Sequence, residues 1–371
     1  MCGLPVPQAQ AQQESVNNIM TKWLDKNFTA PSYARRPVSR RAVTKGVGSL
    51  VALGAMSATL GLSGCTQQKT SDAVLRTPET RFVNLPDYDF APHYARVPSD
   101  FGPLRMHYVD EGPANADVIL LLHGQGAWAY SYRAMIPPLV KAGYRVIAPD
   151  YVGFGRSDKL KQDQDYTYQS HVDWLRSFLH AKSFKNVTAF MYDWGGYFGL
   201  RVAAAEPALF NRLVLSNTQL PMANQGGMEW FIKFREKILS APQFPMGKMV
   251  NRGCMNKLTP EEIAAYDAPY PDESYKTGPR RFPMILPTAP GDPTVADNKA
   301  AWKKLASWKK PVLTLFSEQT AKTAMGPEVF FKQIPGTQGQ DHALLKAGFS
   351  IMEDQPQQLA TRIIAFAGSE S

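Results

Sequence analysis

The sequence predicts an α/β fold, an open and mostly parallel sheet flanked by helices and interrupted late by a helical insertion. Three observations carry this. Continuous apolar runs, VILLL (118–122) and VLTLF (312–316), suit parallel strands buried on both faces. Between such runs lie helical patterns, as in AWAYSYRAMIPPLVKAG and TYQSHVDWLRSFLHAKS, with Leu, Trp and Phe at helical spacing. From about 222 to 300 the alternation stops, and a Met-, Pro- and aromatic-rich stretch reads as helices without a clear strand.

Taken in order, residues 1–38 form a long extension before the arginine pair of SRRAVTKG (Ser39–Gly46). Nineteen uncharged residues follow, Gly46–Gly64, and end in LSGC. Paired arginines, an apolar run and a small-residue site over 39–65 read as an export signal of the twin-arginine kind. The LSGC ending resembles a lipoprotein cleavage box, which would make Cys65 a lipidated first residue and tie the protein to a membrane; the alternative is a simple amino-terminal anchor. The expected location is periplasmic or membrane-tethered. Residues 66–85 are polar and patternless and read as a tether.

The expected strands are MHYVDEG (106–112), VILLLHG (118–124), YRVIAPD (144–150), VTAFMYD (187–193), RLVLSN (212–217) and PVLTLFS (311–317). A core of 86–221 and 301–371 therefore encloses a helical cap of 222–300, set over the carboxyl ends of the strands where ligands bind in such sheets. The net charge is +9, of which +5 falls in residues 1–65, where seven Lys/Arg stand against two Asp/Glu. The body is thus only mildly basic, and no arginine–aromatic array points to nucleic acid. Of Cys2, Cys65 and Cys254 only the last belongs to the body, so no disulfide framework is expected there. No Cys/His cluster suggests a metal, and no cofactor is expected.

The most informative stretch is AFMYDWGGYFGLRVAA (Ala189–Ala204). An apolar strand runs into Asp193, two glycines follow, and a helix begins at once. This is the strand–elbow–helix arrangement that raises a nucleophile beside backbone N–H groups, with a carboxylate in place of serine. The competing reading is a loop aspartate capping the helix. In VILLLHGQGAWAYSYRAMIPPL (Val118–Leu139), His123-Gly124 follows a buried strand at an oxyanion-loop position. The Gln125 amide and the Trp194 indole N–H could hold a halide leaving group on an apolar wall; for Trp194 alone core packing is the alternative.

HGQGAWAYSYRAMIPPL, VIAPDYVGFGRSDK, DWGGYFGLR and AAYDAPYPDESYK together resemble the haloalkane dehalogenase family of α/β-hydrolases, from about residue 80 to 368. The resemblance implies an α/β-hydrolase fold with a cap, a small apolar and halogenated substrate, displacement of halide by Asp193, and hydrolysis of the alkyl ester by water that a histidine activates. It puts one halide donor on Trp194 and a polar oxyanion-loop residue on Gln125. A cap aromatic donor aligns with Phe234, which has no N–H, with Trp230 one helical turn away.

Three positions depart from the family pattern. The acid that orients the histidine falls on Thr320 in FSEQTAKT, with Glu318 two residues away as a substitute; the alternative acid position holds Asn217. The histidine falls on Phe349 in AGFSIMED, and His342, at the start of the expected strand DHALLKA, reads as structural. The expectation is a dehalogenase-type hydrolase with turnover impaired or lost. The alternatives are a non-catalytic exported binding or scaffold protein, and an epoxide hydrolase relative using two of Tyr266, Tyr270 and Tyr275.

Overall fold

The computed structural model describes residues 71–223, 228–323 and 325–369. Cys65, the arginine pair and the 1–38 extension lie outside the described residues. Among the described residues ten strands form: β1 (Val74–Leu75), β2 (His93–Val97), β3 (Leu104–Glu111), β4 (Val118–Leu122), β5 (Arg145–Pro149), β6 (Lys159–Leu160), β7 (Val187–Tyr192), β8 (Phe210–Ser216), β9 (Val312–Ser317) and β10 (Ala343–Leu345). The helices are α1 (Ile136–Lys141), α2 (Tyr168–Ala181), α3 (Trp194–Ala205), α4 (Met228–Ser240), α5 (Met246–Gly253), α6 (Pro260–Asp267), α7 (Thr277–Ile285), α8 (Pro293–Leu305), α9 (Glu318–Ala321), α10 (Glu328–Gln333), α11 (Ile351–Asp354) and α12 (Pro356–Ala367).

Eight strands form one sheet in the order β10-β9-β8-β7-β4-β5-β3-β2. Strands β4, β5, β7, β8, β9 and β10 pair in parallel, while β2 and β3 are antiparallel to their neighbours. Every residue of β4, β7 and β9 is buried, as their unbroken apolar runs require. Helices α2, α3 and α8 cover one face, burying Leu175, Phe178, Phe198, Leu200 and Trp302. Helices α1 and α12 cover the other with Ile136, Leu139, Leu359 and Ile363. Each such side chain contributes about 1.5–3 kcal/mol of burial. The parallel strands all end on one side, so Asp193, Asn217, Ser317 and the loop after β10 gather there.

Local chemistry sets several boundaries. Helix α2 starts at Thr167 because its hydroxyl and that of Ser170 satisfy each other's backbone N–H in a capping box. The helical pattern over 127–143 yields a 3₁₀ turn at Ala129–Tyr132 and only a short α1, which begins where Pro137 and Pro138 are tolerated. Of the expected strand DHALLKA only Ala343–Leu345 pairs, with Leu315–Ser317.

Two expected boundaries are corrected. Residues 74–85 are bound to the body: β1 pairs with β6, Arg76 grips Asp158 through two N–H groups at 2.8 and 2.9 Å, and Phe82 packs edge-on against Trp128. Too few apolar residues stand there to make a period; residues 66–70 of the expected tether lie outside the described residues. The cap boundary at 300 falls inside α8, which starts at Asp292 as N-cap and buries Asn298, Ala301, Trp302 and Leu305 on the core side. The Trp302 indole donates to Leu220 O at 3.0 Å, so this helix belongs to the core layer.

The carboxyl-terminal loop is keyed to the cap by buried polar groups. Asp354 accepts from the N–H groups of Gly348, Met255 and Asn256 at 2.8–2.9 Å. Arg133 spans Glu353 and Glu262, joining the turn before α1 to α11 and α6. Asp354→Ala leaves three N–H groups without their acceptor, and we expect it to lower unfolding free energy by about 3 kcal/mol. Urea denaturation checks this; a loss below about 1 kcal/mol would contradict it.

Candidate active site

Asp193 stands where β7 ends and α3 begins, with no residue between, at φ 49° and ψ −118°. A non-glycine residue in this region costs of order 1–3 kcal/mol, so its surroundings must hold it. They do so through Thr218, whose hydroxyl donates to Asp193 O at 2.7 Å, and through Asp193 N–H donating to Ser216 O at 3.3 Å. Gly195 must lack a side chain, because a Cβ there would lie 2.2 Å from Leu122 O. Gly124 must as well: a Cβ there would meet Asp193 Oδ2 at 2.5 Å, Asp193 Cβ at 2.6 Å and Tyr192 Cε1 at 2.8 Å.

The Asp193 carboxylate is buried, with 4% of the residue exposed. Its Oδ2 accepts from the Gln125 backbone N–H at 2.7 Å. Burial pushes its pKa from the ordinary 3.8 up to about 7, against the pull of the Gln125 and Trp194 backbone N–H groups. The Gln125 side-chain amide is turned to the cap, where Nε2 donates to Pro279 O at 2.8 Å. The donor brought to Asp193 is therefore the main chain of Gln125, while the side chain expected to hold a halide bonds the cap. Trp194 lines an apolar wall with Phe282 (4.5 Å between ring centres), Tyr197 and Phe198.

The positions expected to supply acid and base are occupied by groups engaged elsewhere. Thr320 is buried and its hydroxyl bonds the Ser317 hydroxyl at 2.9 Å, within the first turn of α9. Glu318, the substitute, is exposed at the start of that helix. Asn217 bridges two segments, accepting from Ser317 N–H at 2.9 Å and donating from Nδ2 to Phe349 O at 2.8 Å. Phe349 stands in the loop before α11, half-buried, with its ring against Tyr192 at 5.5 Å between centres. Its carbonyl also accepts from the Tyr192 hydroxyl at 3.0 Å.

All six histidines of the chain are described, and each has another setting. His342 accepts from Thr314 N–H on Nδ1 and donates from Nε2 to Thr337 O at 2.8 Å, the structural role expected of it. His107 bonds Asp150, His180 bonds Glu206, and His93 packs against Tyr108. His123 accepts from Tyr151 N–H on Nε2 and faces Gly124 O with Nδ1; burial lowers its pKa to about 4. His171 is sandwiched between Phe198 and Tyr166, and burial lowers its pKa to about 3.

In the cap, Phe234 on α4 packs half-buried against the cluster of Ile238, Phe244, Met246 and Tyr270. Met246 and Met249 carry that cluster to Gly126 in the loop after β4. The side chain of Trp230 lies outside the described residues. The tyrosines weighed as epoxide donors are placed otherwise: Tyr266 bonds Glu353 and Ser131, while Tyr270 and Tyr275 pack into the cap cluster. A groove of about 560 Å³ lies away from these residues, lined by Ala205, Pro207, Trp308 and Lys310 near the strands' opposite ends. The residues that sequence reasoning missed are Tyr192 and the bridging role of Asn217. The tyrosine next to the elbow was the available signal.

The raised pKa of Asp193 makes a stability prediction. The folded state holds the proton up to about pH 7 and the unfolded state only to about 3.8, so this group's contribution falls as pH rises between those values. Asp193→Asn keeps an acceptor for Gln125 N–H and removes the charge. It should match the parent near pH 4 and gain up to about 4 kcal/mol over it by pH 8. Urea titrations at several pH values check this; a pH-independent difference would contradict it.

An alpha/beta hydrolase fold family model matches residues 117–249. A haloalkane dehalogenase of Psychrobacter cryohalolentis is 48% identical over 295 residues, covering 79% of this chain and 97% of the relative. One of Mycolicibacterium paratuberculosis is 44% identical over 294 residues, with 79% and 98% covered. Among solved structures, the tetrameric haloalkane dehalogenase DpaA of Paraglaciecola agarilytica superposes with a TM-score of 0.71 at 28% identity, covering 80% of this chain and 98% of that one. With nearly the whole length of these relatives matched on this fold, the chain belongs to the haloalkane dehalogenase family of α/β-hydrolases.

Proposed function

We propose that this protein binds a small apolar haloalkane and that Asp193 displaces the halide, forming an alkyl ester that the protein hydrolyses slowly or not at all. The observation that carries the proposal is a buried elbow carboxylate whose chain neighbour Tyr192 bonds a loop that carries Phe349 and no base. Displacement needs an ionised nucleophile, an apolar wall and a dry site; Asp193, Trp194 and Phe282 supply these. Hydrolysis needs a base within reach of a water, and such a base contributes on the order of 10²–10⁴-fold. The engagement of all six histidines elsewhere supports a step lacking that help.

Incubation with 1-bromohexane followed by intact mass spectrometry should show one hexyl adduct per chain, absent in Asp193→Asn. Because the ionised form attacks, the labelling rate should rise about tenfold per pH unit below pH 7 and level off above it. No adduct at any pH would sink the proposal and favour a non-catalytic binding role. Installing the missing pair in Phe349→His/Thr320→Asp should raise bromide turnover by about 10²-fold or more. Turnover of the parent equal to that of the double variant would contradict the assignment of Phe349 as the lost base position.

A further inference from the structure

Tyr192, the residue before the elbow, meets Phe349 in two ways. Its ring packs on the Phe349 ring, and its hydroxyl donates to the Phe349 carbonyl, which Asn217 Nδ2 also holds. Its Cε1 and the Asp193 carboxylate both crowd the same point above Gly124, so the Tyr192 ring lies beside the reacting group and the Phe349 ring lies against that ring. The loop bearing Phe349 is fixed on its other side by the cap. Ser350 N–H donates to Gly253 O at 2.9 Å, Ser350 Oγ donates to Val250 O at 3.1 Å, and Asp354 holds Gly348 N–H. A Cβ on Gly348 would sit 2.2 Å from Gly253 O, so loop and cap fit without slack.

We infer that Tyr192, Phe349 and Asn217 form a seal that keeps water and other small nucleophiles from the Asp193 carbonyl carbon. The seal makes the alkyl ester persistent beyond what loss of a base explains. Phe349 is the barrier; Tyr192 and Asn217 are positioning residues that hold it. Ester cleavage requires a nucleophile to add to the Asp193 carbonyl carbon and the alkyl C–O oxygen to leave with a proton as the alcohol. A ring clamped at its own carbonyl and backed by the cap blocks the first of these events. The ionisable groups that feel the Asp193 charge are the phenols of Tyr132, Tyr151, Tyr192 and Tyr197, all pushed well above their ordinary pKa by burial, so the ring environment is uncharged.

This inference rests on the capture reading, and its test separates the two. Protein labelled with 1-bromohexane is chased with hydroxylamine, whose nitrogen replaces the alcohol at the ester, and loss of the adduct is followed by intact mass. Phe349→Ala should lose the adduct at least about tenfold faster than the parent, Tyr192→Phe a few-fold faster, and the volume-conserving Phe349→Leu within about twofold. Independently of any adduct, the Asp193 titration midpoint is read from the pH-dependent stability difference between each protein and its Asp193→Asn partner. Admitting water should lower that midpoint by about one pH unit in Phe349→Ala and leave it in place in Phe349→Leu. Equal chase rates, or an unmoved midpoint in Phe349→Ala, would overturn the seal. Absence of adduct in every protein would overturn the capture reading, and the midpoint alone would then decide the seal.

Discussion

The site depends on one strained residue. Asp193 occupies a positive-φ conformation because β7 must end and α3 must begin at the same point, and only that geometry lifts the side chain out of the strand line. Everything beside it answers to that placement. Gly124 and Gly195 give up their side chains to the approach, Thr218 grips the carbonyl, and Gln125 turns its backbone N–H to the carboxylate. The cost of the strain and of burying a carboxylate is borne by a core in which β4, β7 and β9 are wholly enclosed.

A second layer of buried polar contacts carries that order to the cap. Arg133 links Glu353 of α11 to Glu262 of α6, and Asp354 gathers N–H groups from both sides of the boundary. Breaking one partner of such a network is costly because the other is left charged and dry. These contacts surround Phe349 without involving its side chain. They hold the loop around it, while its carbonyl is held by Tyr192 and Asn217.

The sheet was legible because its central strands are apolar on both faces, a pattern that helices and loops here do not share. The elbow was legible for a related reason: an apolar strand, an aspartate and two glycines leave few conformations open. The packed segment at 74–85 was not, since Val74, Leu75 and Phe82 are too sparse to form a period and find their partners far along the chain. Helix α8 escaped assignment to the core because its burial is set by tertiary contact with α3 and the Trp302–Leu220 hydrogen bond. The bond from the Gln125 backbone N–H to Asp193 went unread, because sequence does not reveal how a main-chain group faces a residue 68 positions away. Tyr192 went unread because its importance lies in a contact across 157 residues.

The central proposal is that Asp193 displaces the halide and that the resulting ester is hydrolysed slowly or not at all. It is tested most directly by counting bromide released per protein chain from excess 1-bromohexane as a function of time. The account predicts a burst that stops near one bromide per chain, with a subsequent rate slower by orders of magnitude. Sustained release of many bromides per chain at the burst rate, or no release at all, would contradict it.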